Sequence, residues 1–137
     1  MGVITWKPRF ETGHVRMDEQ HRALAEALNG LHGAMERETD RPEQMAALQA
    51  LKEGTAEHFR EEEDLMDRFG FPGALEHKGI HGRLLAQMEE LSRRLEDGRT
   101  ELRAPVLDFL EGWLLDHVQG EDVELAQFLR SRGNGVC

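Results

Sequence analysis

Two spacings in this 137-residue chain could do chemistry. His58-x-x-x-Glu62 and His77-x-x-x-His81 each place two ligating side chains four residues apart, on one face of an α-helix. His21, His117 and Asp122 occupy comparable positions in other stretches of helical periodicity. Imidazole nitrogen and carboxylate oxygen, with no cysteine among them, form the ligand set of a non-haem transition metal.

Seven such residues are more than one ion uses. Five imidazoles offer five nitrogens, and two carboxylates that each bridge a metal pair offer four oxygens. Two six-coordinate ions sharing one solvent-derived oxygen would then be filled except at one position, which suits a single small exogenous ligand. Histidine together with carboxylate favours iron. Ligand type alone leaves manganese and zinc open, although zinc usually settles for four ligands.

Four amphipathic helices must position these groups. The first runs from about Asp18, a candidate N-cap, to Arg37, with the seam His21, Leu24, Leu28, Leu31, Met35. The second runs from about Pro42 to Phe69, with Asp40 and Glu43 shaped as a capping box and the seam Leu48, Leu51, Thr55, His58, Glu62, Leu65, Phe69. The third, Ala74 to Asp97, carries His77, His81, Leu84, Met88, Leu91 and Leu95. The fourth starts near Pro105 with Val106, Leu110, Trp113 and His117, and its stripe resumes one residue late at Asp122, Leu125 and Leu129. That slip predicts a π-bulge at about Val118 to Glu121, eased by Gly120, which turns Asp122 toward His117. Simple i,i+4 geometry would choose Glu121 instead; the resumed stripe favours Asp122.

Short connections between long helices predict an all-α, up-down-up-down antiparallel four-helix bundle. The expected organisation is one domain over 1–137: an extended N-terminal arm (1–17) with Trp6, Pro8, Phe10 and Gly13, the bundle (18–130) and a flexible tail (131–137). In such a bundle all seven residues gather at one end. A lone histidine on an apolar face is usually a hydrogen-bonded core residue, but seven ligating groups on the seams at one end are not what chance gives. A buried Glu62 is costly without a partner, and a metal removes that cost. His14 and His32 read as surface or edge residues, and Glu61, Glu63 and Asp64 as a solvated face. Trp113 and Met88 read as core.

The net charge of −10, from 17 basic against 27 acidic residues, would repel a phosphate backbone, so no nucleic-acid partner is expected. Apolar runs are too short for a membrane span or a signal peptide, which points to a cytoplasmic protein with no membrane partner. The acidic surface favours a monomer. The one cysteine, Cys137, ends the tail and reads as a free thiol.

The stretches Met17-Asp18-Glu19-Gln20-His21, His58-Phe59-Arg60-Glu61-Glu62, His77-Lys78-Gly79-Ile80-His81 and Trp113-Leu114-Leu115-Asp116-His117, running on to Asp122, resemble the hemerythrin family in its single-domain prokaryotic type, the bacteriohemerythrins. The resemblance covers nearly the whole chain. It implies reversible dioxygen binding at an oxo- or hydroxo-bridged pair of non-haem irons, for oxygen carriage, storage or delivery, and no enzyme activity as the main role. By that pattern His77, His81 and His117 would hold a coordinatively full iron, His21 and His58 an iron with the vacancy, and Glu62 and Asp122 would bridge. It also implies an apolar ligand pocket walled by Phe59, Trp113, Leu114 and Val118. In Gly13-His14-Val15 the middle residue departs from the aliphatic one usual in relatives. Two other functions compete: an oxygen or redox sensor working through a separate signalling partner, and a di-iron oxidase or peroxidase. Ferritin-like sites use E-x-x-H on each of two helices, whereas here Glu11-x-x-His14 stands alone in the arm. A carrier would hand its oxygen to an oxygen-consuming enzyme.

Overall fold

The chain turns wherever the sequence offers a cap or a breaker. In the computed structural model, which describes residues 4–134, a 3-10 turn at Pro8–Phe10 precedes α1 (Val15–Glu36), α2 (Arg41–Phe69), α3 (Ala74–Glu96), α4 (Ala104–Gln119) and α5 (Glu121–Ser131). Asp40 caps α2 as expected, its carboxylate accepting from the Glu43 amide at 3.0 Å. Gly70 ends α2 in the left-handed region (φ 70°), where a side chain would be strained. Pro105 sits in the first turn of α4, where its missing N–H costs nothing.

These helices make an all-α four-helix bundle in which α4 and α5 together form the fourth member. Helix α1 packs against α2 and α4, and α2 also against α3 and α5. Heptad-like spacing brings Leu24, Leu28, Leu48, Leu51, Leu84, Met88, Leu107, Leu110 and Leu114 into one core. A second, smaller apolar cluster closes the other side of the ligating residues, from Met17, Met66, Leu125, Ala126 and Leu129. In α2 the inward stripe passes through Met66, leaving Leu65 and Phe69 half-buried.

Four local expectations are corrected. Helix α1 begins at Val15, and its cap is His14, whose Nδ1 accepts from the Met17 amide at 3.2 Å. The ring is buried, and its Nε2 lies 2.8 Å from the Asn134 side-chain oxygen. Asp18, expected as the cap, is instead buried one turn in. There it accepts from the Thr12 amide (2.7 Å), the Thr12 hydroxyl (2.8 Å) and the Gly13 amide (3.1 Å), tying the arm to the bundle. His32 is also buried, within 3.4 Å of Glu36, because the inward face of α1 is wider than a strict seam. The one-residue slip in the fourth helix is a full break, with no π-bulge: α4 stops at Gln119 and α5 starts at Glu121 around Gly120 (φ −110°, ψ −92°).

Ile4 and Asn29 clamp the arm by two hydrogen bonds, 2.7 and 2.9 Å, and Trp6 meets Phe10 edge-on at 5.3 Å. Cys137 and the end of the expected tail lie outside the described residues. No helix among the described residues is long and apolar enough to cross a membrane.

A β-carbon on Gly120 would sit 3.0 Å from the carbonyl oxygen of Asp116. Gly120→Ala is therefore expected to lower stability by about 1–3 kcal/mol, read as a lower urea midpoint at unchanged slope. An unmoved midpoint would show that the break does not depend on the missing side chain.

Candidate metal centre

The seven residues singled out by spacing converge on one place. They come from all five helices: His21 in α1, His58 and Glu62 in α2, His77 and His81 in α3, His117 in the last turn of α4, and Asp122 in the first turn of α5. All seven are buried, and Glu62 and Asp122 have no exposed surface at all. The break at Gly120 gives the last two favourable electrostatics. A histidine at a helix C-terminus faces the negative pole, and a carboxylate at a helix N-terminus faces the positive one.

Each carboxylate divides its two oxygens between two sets of histidines. Glu62 Oε2 is 2.7 Å from His58 Nε2 and 3.9 Å from His21 Nε2, while Oε1 is 3.1 Å from both His77 Nε2 and His81 Nε2. Asp122 repeats the division. Its Oδ2 is 2.6 Å from His21 Nε2, and its Oδ1 lies 2.9 Å from His117 Nε2 and 3.2 Å from His77 Nε2. The ligating atoms thus fall into two overlapping groups that share Glu62 and Asp122, one with His21 and His58 and one with His77, His81 and His117. Within each group every such atom lies within 4.8 Å of the others.

Two buried carboxylates demand positive charge beside them. Burial by itself would lower the His58 imidazole, but Glu62 and Asp122 outweigh it and hold the ring at about 10. The same opposition lifts His77 to about 9 and raises His21 and His117. Burial, and for Glu62 the charge of Asp122, would push the two acids up; the surrounding histidines hold both well below the usual carboxylate range.

A cation fits this cluster better than protons do. His81 Nε2, His117 Nε2, Glu62 Oε2 and Asp122 Oδ1 are buried without a hydrogen-bond partner among the described residues. They sit within ion-pair distance of neighbours in the cluster yet out of hydrogen-bond alignment. An ion between them would satisfy nitrogen and oxygen lone pairs together.

Three outer contacts are not foreseen by periodicity. His81 Nδ1 lies 3.0 Å from Glu63 Oε2, His117 Nδ1 3.0 Å from Glu121 Oε1, and His58 Nδ1 2.6 Å from Gln20 Oε1. Such partners fix which ring nitrogen faces inward. Glu63 is thus no mere solvated residue. The i,i+4 spacing of His117 and Glu121 is the visible signal; it marks a contact on the outer face of the ring. Phe59 stacks on the His81 ring at 3.6 Å between centroids, and Trp113 on His117 at 4.7 Å. Leu114 and Val118 are buried in the same apolar cluster as Phe59.

Comparison with known proteins agrees with this geometry. Residues 12–129 match the model of the hemerythrin HHE cation binding domain. The chain is 31% identical to a bacteriohemerythrin of Ralstonia nicotianae, over 97% of this chain and 93% of the relative. It is 28% identical to a bacteriohemerythrin of Stenotrophomonas maltophilia, over 98% and 86%. A myohemerythrin of Riftia pachyptila is 30% identical over 85% and 86%. The crystal structure of a wild-type hemerythrin superposes with a TM-score of 0.87 at 26% identity, covering 93% of this chain and 98% of that one.

Ferrous iron added under argon to the metal-free protein should raise its stability by about 3 kcal/mol at free iron a hundredfold above the dissociation constant. The measurement is the thermal midpoint, and Asp122→Ala should remove most of the rise. A midpoint indifferent to iron would mean that the histidine–carboxylate network is a structure complete in itself.

Proposed function

The chain belongs to the hemerythrin family, and from that premise we propose that it binds dioxygen reversibly at a non-haem di-iron centre, as a carrier, store or delivery protein. The observation that carries the reading is the division of both carboxylates between a two-histidine set and a three-histidine set. In this reading His77, His81 and His117 would hold one iron and His21 and His58 the other, with Glu62 and Asp122 within reach of both sets. The smaller set, His21 and His58, offers one nitrogen fewer and would leave room there for an exogenous ligand. Two ferrous ions held there would supply the electrons that bind dioxygen and recover them on its release.

The remaining tasks belong to the chain. Phe59, Trp113, Leu114 and Val118 keep water from the open side, since water and anions in such a pocket favour irreversible oxidation. An apolar cavity of about 20 Å³ lies between the helices beside them, lined by Leu24, Leu51, Thr55, Met88, Trp113 and Leu114 among others. Its size suits one small molecule. Its one hydroxyl, on Thr55, donates to the Leu51 carbonyl at 2.7 Å. A small neutral gas fits that lining better than a hydrated ion.

The rings turn Nε2 inward toward Glu62 and Asp122, the orientation of metal ligands, and that supports binding at the pair. The partners proposed are dioxygen and an oxygen-consuming enzyme that receives it, with the protein monomeric and cytoplasmic.

The test is an optical spectrum of the iron-loaded protein, reduced without air, then given oxygen, then purged with argon. A visible charge-transfer band should appear with oxygen and fade on purging. Conversion to a ferric spectrum that purging does not reverse would sink the carrier reading and favour a sensor or an oxidase. Trp113→Ala, which uncovers the His117 ring, should shorten the life of the oxygenated form with iron content unchanged.

A further inference from the structure

The two histidine sets differ in what stands behind them. In the three-histidine set, two rings turn Nδ1 toward carboxylates, His81 toward Glu63 and His117 toward Glu121, both at 3.0 Å. Those acids are about one-third and two-fifths exposed, and among the described residues each is ion-paired only with its histidine. In the two-histidine set, His58 meets a neutral amide oxygen, Gln20 Oε1, at 2.6 Å, and His21 Nδ1 is buried with no hydrogen-bond partner among the described residues. The orientation of Gln20 is fixed from outside. Its Nε2 donates to Glu61 at 2.5 Å, which obliges Oε1 to face the ring. The charge on Glu61 is met in turn by Arg16, at 3.0 and 3.2 Å. One half is therefore backed by two carboxylates in direct contact with its rings, and the other by a neutral amide oxygen and a ring nitrogen with no partner among the described residues.

That difference bears on metal affinity by two routes. An imidazole that donates Nδ1–H to a carboxylate is a stronger ligand at Nε2, and its tautomer is fixed before the ion arrives. The outer charges also lower the energy of a cation held in their half. We propose that this asymmetry orders metal uptake: the first ion settles among His77, His81 and His117, and the second binds more weakly between His21 and His58, with Glu63, Glu121 and Gln20 setting the gap. The proposal rests on the two-ion reading above. Ligand count alone also favours the three-histidine half, but it assigns no part to Glu63, Glu121 or Gln20, so variants at those positions separate the two causes.

The experiment is calorimetric titration of the metal-free full-length protein with ferrous iron under argon, with bound iron counted after dialysis. Wild type should show two resolved steps. Glu63→Gln and Glu121→Gln should each weaken the first step by about tenfold to a hundredfold and leave the second little changed. Gln20→Glu should do the opposite, tightening the second step and closing the gap. Circular dichroism confirms that each variant is folded, and should one carboxylate variant fail, the other and Gln20→Glu still decide. Two indistinguishable steps in wild type would overturn the proposal, as would carboxylate variants that weaken both steps alike or a Gln20→Glu protein whose second step does not move. Uptake of a single ion by wild type would instead defeat the di-iron reading itself.

Discussion

Two carboxylates with no exposed surface, inside a bundle otherwise built of leucine, are the constraint on which the rest of this structure hangs. An uncompensated carboxylate in such a place is among the most costly things a fold can contain. The chain answers with five imidazoles drawn from α1, α2, α3 and α4, arranged so that every oxygen of Glu62 and Asp122 has nitrogen close by. Removing one partner would leave a charge buried with too little opposite charge around it, so the helices are held in register by electrostatics as well as by packing. This is also why the raised histidines and the lowered acids occur together: they are two sides of one balance.

The position of that balance along the bundle follows from the sequence in a simple way. On α1, Met17 lies one turn before His21; on α2, Met66 lies one turn after Glu62; on α5, Leu125 follows Asp122. On the other side Leu24, Leu51 and Leu84 begin the main core. The polar layer is thus enclosed by apolar residues above and below. The helix break at Gly120 is what lets α5 contribute both a buried carboxylate and its share of the closing cluster. An unbroken helix would keep the register of His117 and turn Glu121 inward.

Much of this is legible in the amino-acid sequence alone. Helix number, helix order and the convergence of seven ligating groups follow from seams of period 3 and 4 and from short, well-capped connections. Three features are not legible there, each for a physical reason. A stripe that slips by one residue says that the helix changes register, but not whether it bulges or breaks; the ψ that Gly120 adopts decides that. Histidine at a helix start, as at His14, resembles a surface residue until the ring is seen to accept from the Met17 amide. The outer contacts of Gln20, Glu63 and Glu121 come from residues that periodicity assigns to the solvent side, and only their reach around the ring edge brings them in.

The small cluster of Met17, Met66, Leu125, Ala126 and Leu129 has one more consequence. It covers one side of the polar layer with hydrocarbon, a wall that some solutes cross more readily than others. What crosses a close-packed layer of leucine and methionine readily is small and holds its water weakly. A small neutral molecule would therefore approach these residues across that layer more readily than a hydrated ion. The hydrocarbon that makes two buried carboxylates so costly thus also selects what can come near them.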